Sequence, residues 1–330
     1  MSGSSTTRAL LLLAVGCLLV ALLAPLVGSQ SLSWGALRSD PASAAILWQL
    51  RVPRVLLALL AGALLAVSGA SLQTLFGNPL AEPYTLGVAS GASLGAALVF
   101  TVAPRVTSLG LPLAALAAFG GALAATALVV ALGRSRDVAS GTSSGAGLLL
   151  AGVAVALLCQ AAILLLQYLT DAAGTLRMVR WMMGGLAVVG WREPLWLLLL
   201  LGTHALHRWD LDLLLTGEEM AAARGVDVSR LRRRLLLVDS LAVAALVSVV
   251  GPIGFVGLMV PHMLRRFVGA EHTALMPACA LGGAAFLALC DVGARTALRP
   301  AELPVGVVTA LLGAPFFLWL LHRREPPAPP

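Results

Sequence analysis

GPIGFVGLMVPHMLRRFVGAEH, residues 251–272, and DVGARTALRPAELPVGVVTALLGAPFF, residues 291–317, decide the fold class. Apolar residues dominate both stretches, yet glycines, prolines and a few charges interrupt them. A soluble core has no need of that pattern. A membrane bundle does, because its helices break only where protein covers them and pack closely only through small residues.

Composition points the same way. Of 330 residues, 59% are hydrophobic and 11% are charged, less than half the roughly 25% charge of a soluble domain. That is too little polar surface to keep a soluble protein of this length in water. The 22 basic residues are all arginine and the net charge is +7. They lie mostly between apolar segments, so positive-inside topology explains them and nucleic acid is not an expected partner. Cys17, Cys159, Cys279 and Cys290 sit in apolar runs without CxxC spacing, which reads as membrane-buried thiols and gives no metal or disulfide framework. Residues 9–27 carry no charge. Arg8 supplies a small n-region, but the apolar run is long and more follow, so a retained first helix is expected over a cleaved signal.

Ten spans are expected, near 9–27, 52–72, 84–103, 109–132, 145–168, 191–207, 234–250, 254–268, 273–293 and 304–321. The expected fold is all-α: a polytopic integral membrane protein forming one transmembrane domain over 1–330. The eighth span holds Gly254, Gly257 and Pro261 and should be bent or broken. An even number of spans puts both termini on one side, and thirteen of the arginines fall there, making it cytoplasmic. Gly62, Ala66 and Gly69, then Gly87, Gly91 and Gly95, form small-residue ladders for close packing. Residues 208–233 make the longest polar loop, and 325–330 a proline-rich disordered tail. A P-loop is impossible without lysine, so the chain does not hydrolyse ATP itself.

Four groups carry the functional expectations. In 216–234, Glu218 and Glu219 suit a helix start, Gly225 after Arg224 suits its end, and the arginines beyond suit anionic headgroups of membrane lipids. This is either an ordinary amphiphilic loop or a docking helix for a soluble partner. FGNPLAEP, 76–83, turns at Asn78-Pro79 and is a rigid turn or a gate. Arg51, Arg54 and Arg295 lie on the translocated side, against the topology preference. They pair with headgroups, with Asp291, or with carboxylates of an extracytoplasmic partner. Within spans, Gln73, Gln160, Gln167, Asp239 and His262 are pathway or packing residues, since polar groups in hydrocarbon face protein or water. His204 and His207 are an isolated i,i+3 pair, and His272 reads as an interface residue. No metal or cofactor site is expected in this chain.

These segments resemble the permease family of ABC importers for iron–siderophores, haem and vitamin B12. The matching stretches are RVPRVLLALLAGALLAVSGASLQTLFGNPLAEPYTLGVASGASLGA (51–96), WMMGGL (181–186), GEEMAAARGVDVSRLRRR (217–234), GPIGFVGLMVPHMLRR (251–266) and AELPVGVVTALLGAPFFLWLL (301–321). The resemblance implies a type II importer permease with ten helices, paired as a homodimer or with a related permease around a passage at the interface. It also implies two cytoplasmic ATPase subunits, which hold the ATP and Mg, and an extracytoplasmic solute-binding protein. Gly217, Glu218, Glu219, Ala223, Arg224 and Gly225 match the family's ATPase-coupling loop. Arg51, Arg54 and Arg295 match positions that meet glutamates of the binding protein in the vitamin B12 permease. Alternating access driven by the ATPases follows, with ferric siderophore the expected cargo and haem or cobalamin the alternatives. A secondary transporter is the competing class. It should show an ion or proton site within the spans, and Asp239 alone is a weak one. A membrane enzyme should show clustered His, Asp or Cys near one face. The chain is expected in the cell membrane.

Overall fold

The computed structural model describes residues 3–28, 40–103, 107–108, 111–140, 145–186, 191, 197–198, 200–203 and 208–322. The described chain is built from helices: α1 (Gly3–Leu23), α2 (Val52–Leu75), α3 (Val88–Val102), α4 (Leu113–Ser140), α5 (Gly145–Leu169), α6 (Ala172–Met182), α7 (Arg208–Leu214), α8 (Glu218–Ala223), α9 (Val228–Val250), α10 (Val256–Val268), α11 (His272–Thr296) and α12 (Val305–His322). A short ladder pairs Thr107 with Pro112 and Ser108 with Leu111. Nine of the ten expected spans coincide with helices. The sixth falls largely outside the described residues, as do His204, His207 and the 325–330 tail.

Among the described residues, five helical stretches are long and apolar enough to cross a membrane by themselves, and α3 and α12 are shorter apolar helices. α2 is the hub. It continues from a π-helical lead, Ile46–Arg51, and most of its length is buried. α11 and α10 pack along it, α9 touches it, and α1 lies against α11. A second layer forms where α3 packs on α4 and α5. α1 is barely buried, with Leu11, Leu12, Leu18 and Leu22 exposed.

Small residues set these contacts. A methyl group on Gly62 would overlap the Gly283 carbonyl, and one on Gly69 would overlap the Gly257 carbonyl. Gly91 and Gly95 stand in the same relation to Gly121 and Ala117 of α4. The expected ladders therefore hold, with one correction. Gly87 is not a rung: it adopts φ +76 and closes the 3₁₀ turn Pro83–Leu86 ahead of α3. A left-handed residue there is a backbone requirement that glycine meets cheaply.

The expected break is present but displaced. α9 stops at Val250, residues 251–255 are irregular, and α10 then runs unbroken through Pro261. The kink signal belongs to Gly251-Pro252 and to Phe255, which holds a left-handed φ of 69. Pro261 has no N–H for the carbonyl four residues earlier, which is that of Gly257. Gln73 Nε2 donates to this carbonyl at 3.1 Å instead. A side chain of α2 thus completes the hydrogen bonding of α10.

Replacing Gly62 with valine should force α2 and α11 apart. Overpacking of this kind costs about 1–3 kcal/mol. The expected result is a lower thermal unfolding midpoint in detergent, while Gly16→Ala, with open space around it, leaves the midpoint unchanged.

Candidate functional site

The first candidate surface is α8 and its flanks. Gly217 precedes the helix with φ 101, and Glu218 and Glu219 occupy its first turn. Carboxylates there meet the partial positive charge of the helix start. At the other end, Gly225 N–H donates to the Ala222 carbonyl at 2.9 Å and Val226 N–H to the Ala221 carbonyl at 3.1 Å, with Gly225 at φ 89. This is a Schellman closure, so Gly225 ends the helix as the sequence suggested. Ala221 is fully buried and anchors the turn. Asp227 caps α9, accepting from the Arg230 N–H at 2.9 Å and the Ser229 hydroxyl at 2.8 Å. Those two donors hold its carboxyl below the usual range, the Arg230 amide contributing most. Arg232 of α9 reaches back to Glu218. The result is a braced knob whose Glu219, Met220, Ala222, Ala223 and Arg224 are exposed.

The opposite end carries a buried charge network. Arg54 places Nε and Nη2 at 3.0 and 2.9 Å from Asp291 Oδ1, and Nη1 at 2.8 Å from Glu302. Arg295 Nε lies 2.9 Å from Asp291 Oδ2, and its Nη1 donates to the Val27 carbonyl at 2.9 Å. Arg51 points to the carbonyls of Pro25 and Leu26 at 3.5 and 3.4 Å. Asp291 is fully buried, Arg295 is 2% exposed and Arg51 8%. The docking role expected for Arg51 and Arg295 does not fit this placement. Their guanidinium groups are turned inward, where they tie α2, α11 and the turn after α1 together. Only Arg54, beside the exposed Glu302, reaches the rim. Exposed arginines at an amphipathic helix are found instead on α6, at Arg177 and Arg180, with Asp171 capping that helix through the Gly174 N–H at 2.8 Å. A charge-bearing connector between two apolar runs was the available signal for α6.

The polar residues within spans divide. Gln73 is 3% exposed; it donates to Gly257 and accepts from Arg265 Nη1 at 2.6 Å. Asp239 is 1% exposed and faces protein, not a passage. His262 packs edge-on against Phe316, ring centroids 6.1 Å apart. Asn78 builds a turn, its side-chain oxygen accepting from the Leu80 N–H at 2.9 Å. Gln167 is half-buried, and its carbonyl accepts from the Thr175 hydroxyl at 3.2 Å. Gln160 is exposed on α5 among Leu157, Leu158, Leu164 and Leu165.

The connector between α2 and α3 does more than turn. Tyr84 Oη accepts from the Ile253 N–H at 2.8 Å, and the Glu82 carboxylate accepts from the Phe255 N–H. Both donors lie in the 251–255 break. The connector is therefore latched to the broken backbone, and burial pushes the Glu82 carboxyl up to about 7.

The profile of the FecCD transport family matches residues 11–323. A hemin transport system permease protein of Yersinia pestis is 41% identical over 311 residues, spanning 91% of this chain and 90% of that protein. A vitamin B12 import system permease protein of Serratia proteamaculans is 42% identical over 322 residues, 96% of this chain and 93% of that one. A solved structure, an inward-facing conformation of a metal-chelate type ABC transporter, superposes with a TM-score of 0.84 at 33% identity, covering 96% of this chain and all of that one.

Two expected outcomes follow from the networks. Glu82 has its folded value raised from 4.5 to about 7, so its contribution to stability is complete below 4.5 and is lost as pH rises through 7. Unfolding midpoints measured from pH 5 to 8 should fall in the wild type, by up to roughly 3 kcal/mol of stability, and this part of the decline should vanish in Glu82→Gln. At the other end, Asp291→Leu leaves two arginines without their shared carboxylate. A loss of about 3–5 kcal/mol is expected, read as a lowered unfolding midpoint of the detergent-purified protein.

Proposed function

This chain belongs to the FecCD transport family, and from that premise we propose that it is the permease subunit of a binding-protein-dependent ABC importer for a metal chelate. The observation that carries the reading is α8: a short helix braced at both ends, anchored by Ala221, yet exposed at Glu219, Met220, Ala222, Ala223 and Arg224. Such a knob is built to be gripped. A cytoplasmic ATPase subunit is the proposed partner, and ATP and Mg would be bound there.

The rest of the assembly is proposed on the same footing. Both termini lie in the cytoplasm of a multi-pass protein of the cell membrane. A second permease copy or close relative completes a passage, to which Gln160 contributes the polar group on the exposed face of α5. The extracytoplasmic binding protein docks on the opposite rim, through Arg54 and Glu302 and through Arg177 and Arg180 of α6. Arg51 and Arg295 hold that rim in shape. Ferric siderophore, haem and cobalamin all fall in the proposed cargo class, and relatives named for haem and for vitamin B12 support the two macrocycles as much as the siderophore.

Ala222→Arg places a long charged side chain on the exposed face of α8 without touching its caps. The expected outcome is a folded permease that no longer co-purifies with its ATPase. Proteoliposomes holding the wild-type chain, its ATPase and its binding protein should accumulate one of haem, cobalamin or a ferric siderophore only with ATP, and none when the binding protein is omitted. Uptake without ATP would establish the secondary-transporter class instead.

A further inference from the structure

His272 opens α11 and is fully buried within the protein. Its backbone N–H donates to Asp212 Oδ1, and its ring Nδ1 lies 2.9 Å from the same oxygen. Its Nε2 lies 3.0 Å from Thr74 Oγ1. An ionised carboxylate only accepts, so Nδ1 carries the hydrogen; in the neutral ring, Nε2 then accepts from the Thr74 hydroxyl. One imidazole therefore joins three helices: α7 through Asp212, α11 through its own backbone, and α2 through Thr74.

Each side of this junction leads to something already described. α7 runs into the α8 knob through a hydrogen-bonded turn. The Thr216 N–H and hydroxyl both reach the Leu213 carbonyl, at 3.1 and 2.7 Å, and the Gly217 N–H donates to the Leu214 carbonyl at 3.0 Å. α7 and α8 are thus joined by a hydrogen-bonded turn with no long linker between them. On the far side, Thr74 adjoins Gln73, which holds the Gly257 carbonyl and Arg265 of α10. α10 in turn begins at the break latched by Glu82 and Tyr84.

We infer that His272 is a positioning residue of the transport cycle: it carries movement of the α8 surface into α2 and the broken α9–α10 segment. This deepens the reading of α8 as the ATPase-facing knob and rests on it. Apolar contacts such as that of the buried Leu211 resist separation but let helices slide. A ring bonded at both nitrogens also resists sliding, because each hydrogen bond has a direction.

The test uses the whole transporter in proteoliposomes, with whichever chelate the wild type accumulates, and reads cargo transported per ATP hydrolysed. His272→Phe keeps bulk and loses both ring bonds; Asp212→Ala and Thr74→Val each remove one partner. The expected result is assembled complexes that still hydrolyse ATP but transport about 2- to 30-fold less per ATP, the range for a residue that modulates coupling. The Asp212→Ala/His272→Phe double variant should be no worse than the poorer single one, because both cut the same link. His272→Asn, whose amide can donate to Asp212, should recover part of the ratio. A wild-type ratio in His272→Phe overturns the inference, as do fully additive losses in the double variant. If His272→Phe fails to assemble, Asp212→Ala and Thr74→Val decide, and wild-type ratios in both overturn it. A wild-type complex that shows no ATP-driven uptake is a separate result, which removes the transport reading and this inference with it.

Discussion

The Gly257 carbonyl is the atom on which the packing of the bundle turns. Pro261 cannot donate to it, and an unmet buried carbonyl costs about 1–3 kcal/mol. Gln73 meets it from a neighbouring helix. That reach is possible only because the backbones of α2 and α10 nearly touch, with Gly69 beside Gly257. The same closeness continues along α2 to Gly62 and Gly283 of α11. Proline in α10, glutamine in α2 and paired glycines in three helices are thus one device. Remove the glycines and the glutamine cannot arrive; remove the glutamine and the proline strands a carbonyl in a dry interior.

Charge buried in hydrocarbon is tolerated here because it is shared. Asp291 is fully buried but meets Arg54 and Arg295 within 3.0 Å. The arginines in turn spend their remaining donors on Glu302 and on the carbonyls of residues 24–27. Those carbonyls lie where α1 ends in a 3₁₀ turn at Ala24–Leu26, in which the Ala24 carbonyl also accepts from the Val27 N–H at 3.3 Å. A frayed helix end and an excess of arginine each raise the energy of the fold alone and relieve it together. A buried ionic cluster need not stabilise more than an apolar one of the same volume. What this one adds is a fixed register between α1, α2 and α11.

Much of the fold was legible in the sequence, for reasons that can be named. Hydropathy marks spans whatever the tertiary structure, so nine expected segments coincide with helices. The Gly62 and Gly69 ladder was readable because small residues at helical spacing have few uses but close packing. The cap at Gly225 was readable because its chemistry is local. What failed was long-range. Asp291 was among the partners the sequence offered, and Arg54 and Arg295 take it; the carbonyls after α1 that Arg51 and Arg295 also reach, 25 to 271 positions away, carry no signal of their own. For His262 and Asp239 the choice between pathway and packing stayed open, because polarity within a span shows that a partner exists, but not which. Gly87 fits the ladder by spacing, and only its positive φ shows that it serves the turn instead. The latch of Glu82 and Tyr84 leaves no local signature, since its donors lie on a break whose position proline and glycine mark only to within several residues.

α2 takes part in the charge network at one end and in the Thr74 and Gln73 bonds at the other. Its 24 residues span about 36 Å, enough to cross the hydrocarbon. It is also the most buried of the long apolar helices described. A helix so enclosed moves as a body or not at all, because close-packed interiors transmit strain in preference to absorbing it. α10 differs: it is 13 residues long, begins at a break, and packs along α2 through the Gly69–Gly257 approach and the Gln73 bonds. Irregular backbone is concentrated at residues 251–255, where a left-handed Phe255 stands off the usual backbone minima. An enclosed α2 thus stands beside a short α10 whose start is fixed by the connector carrying Glu82 and Tyr84.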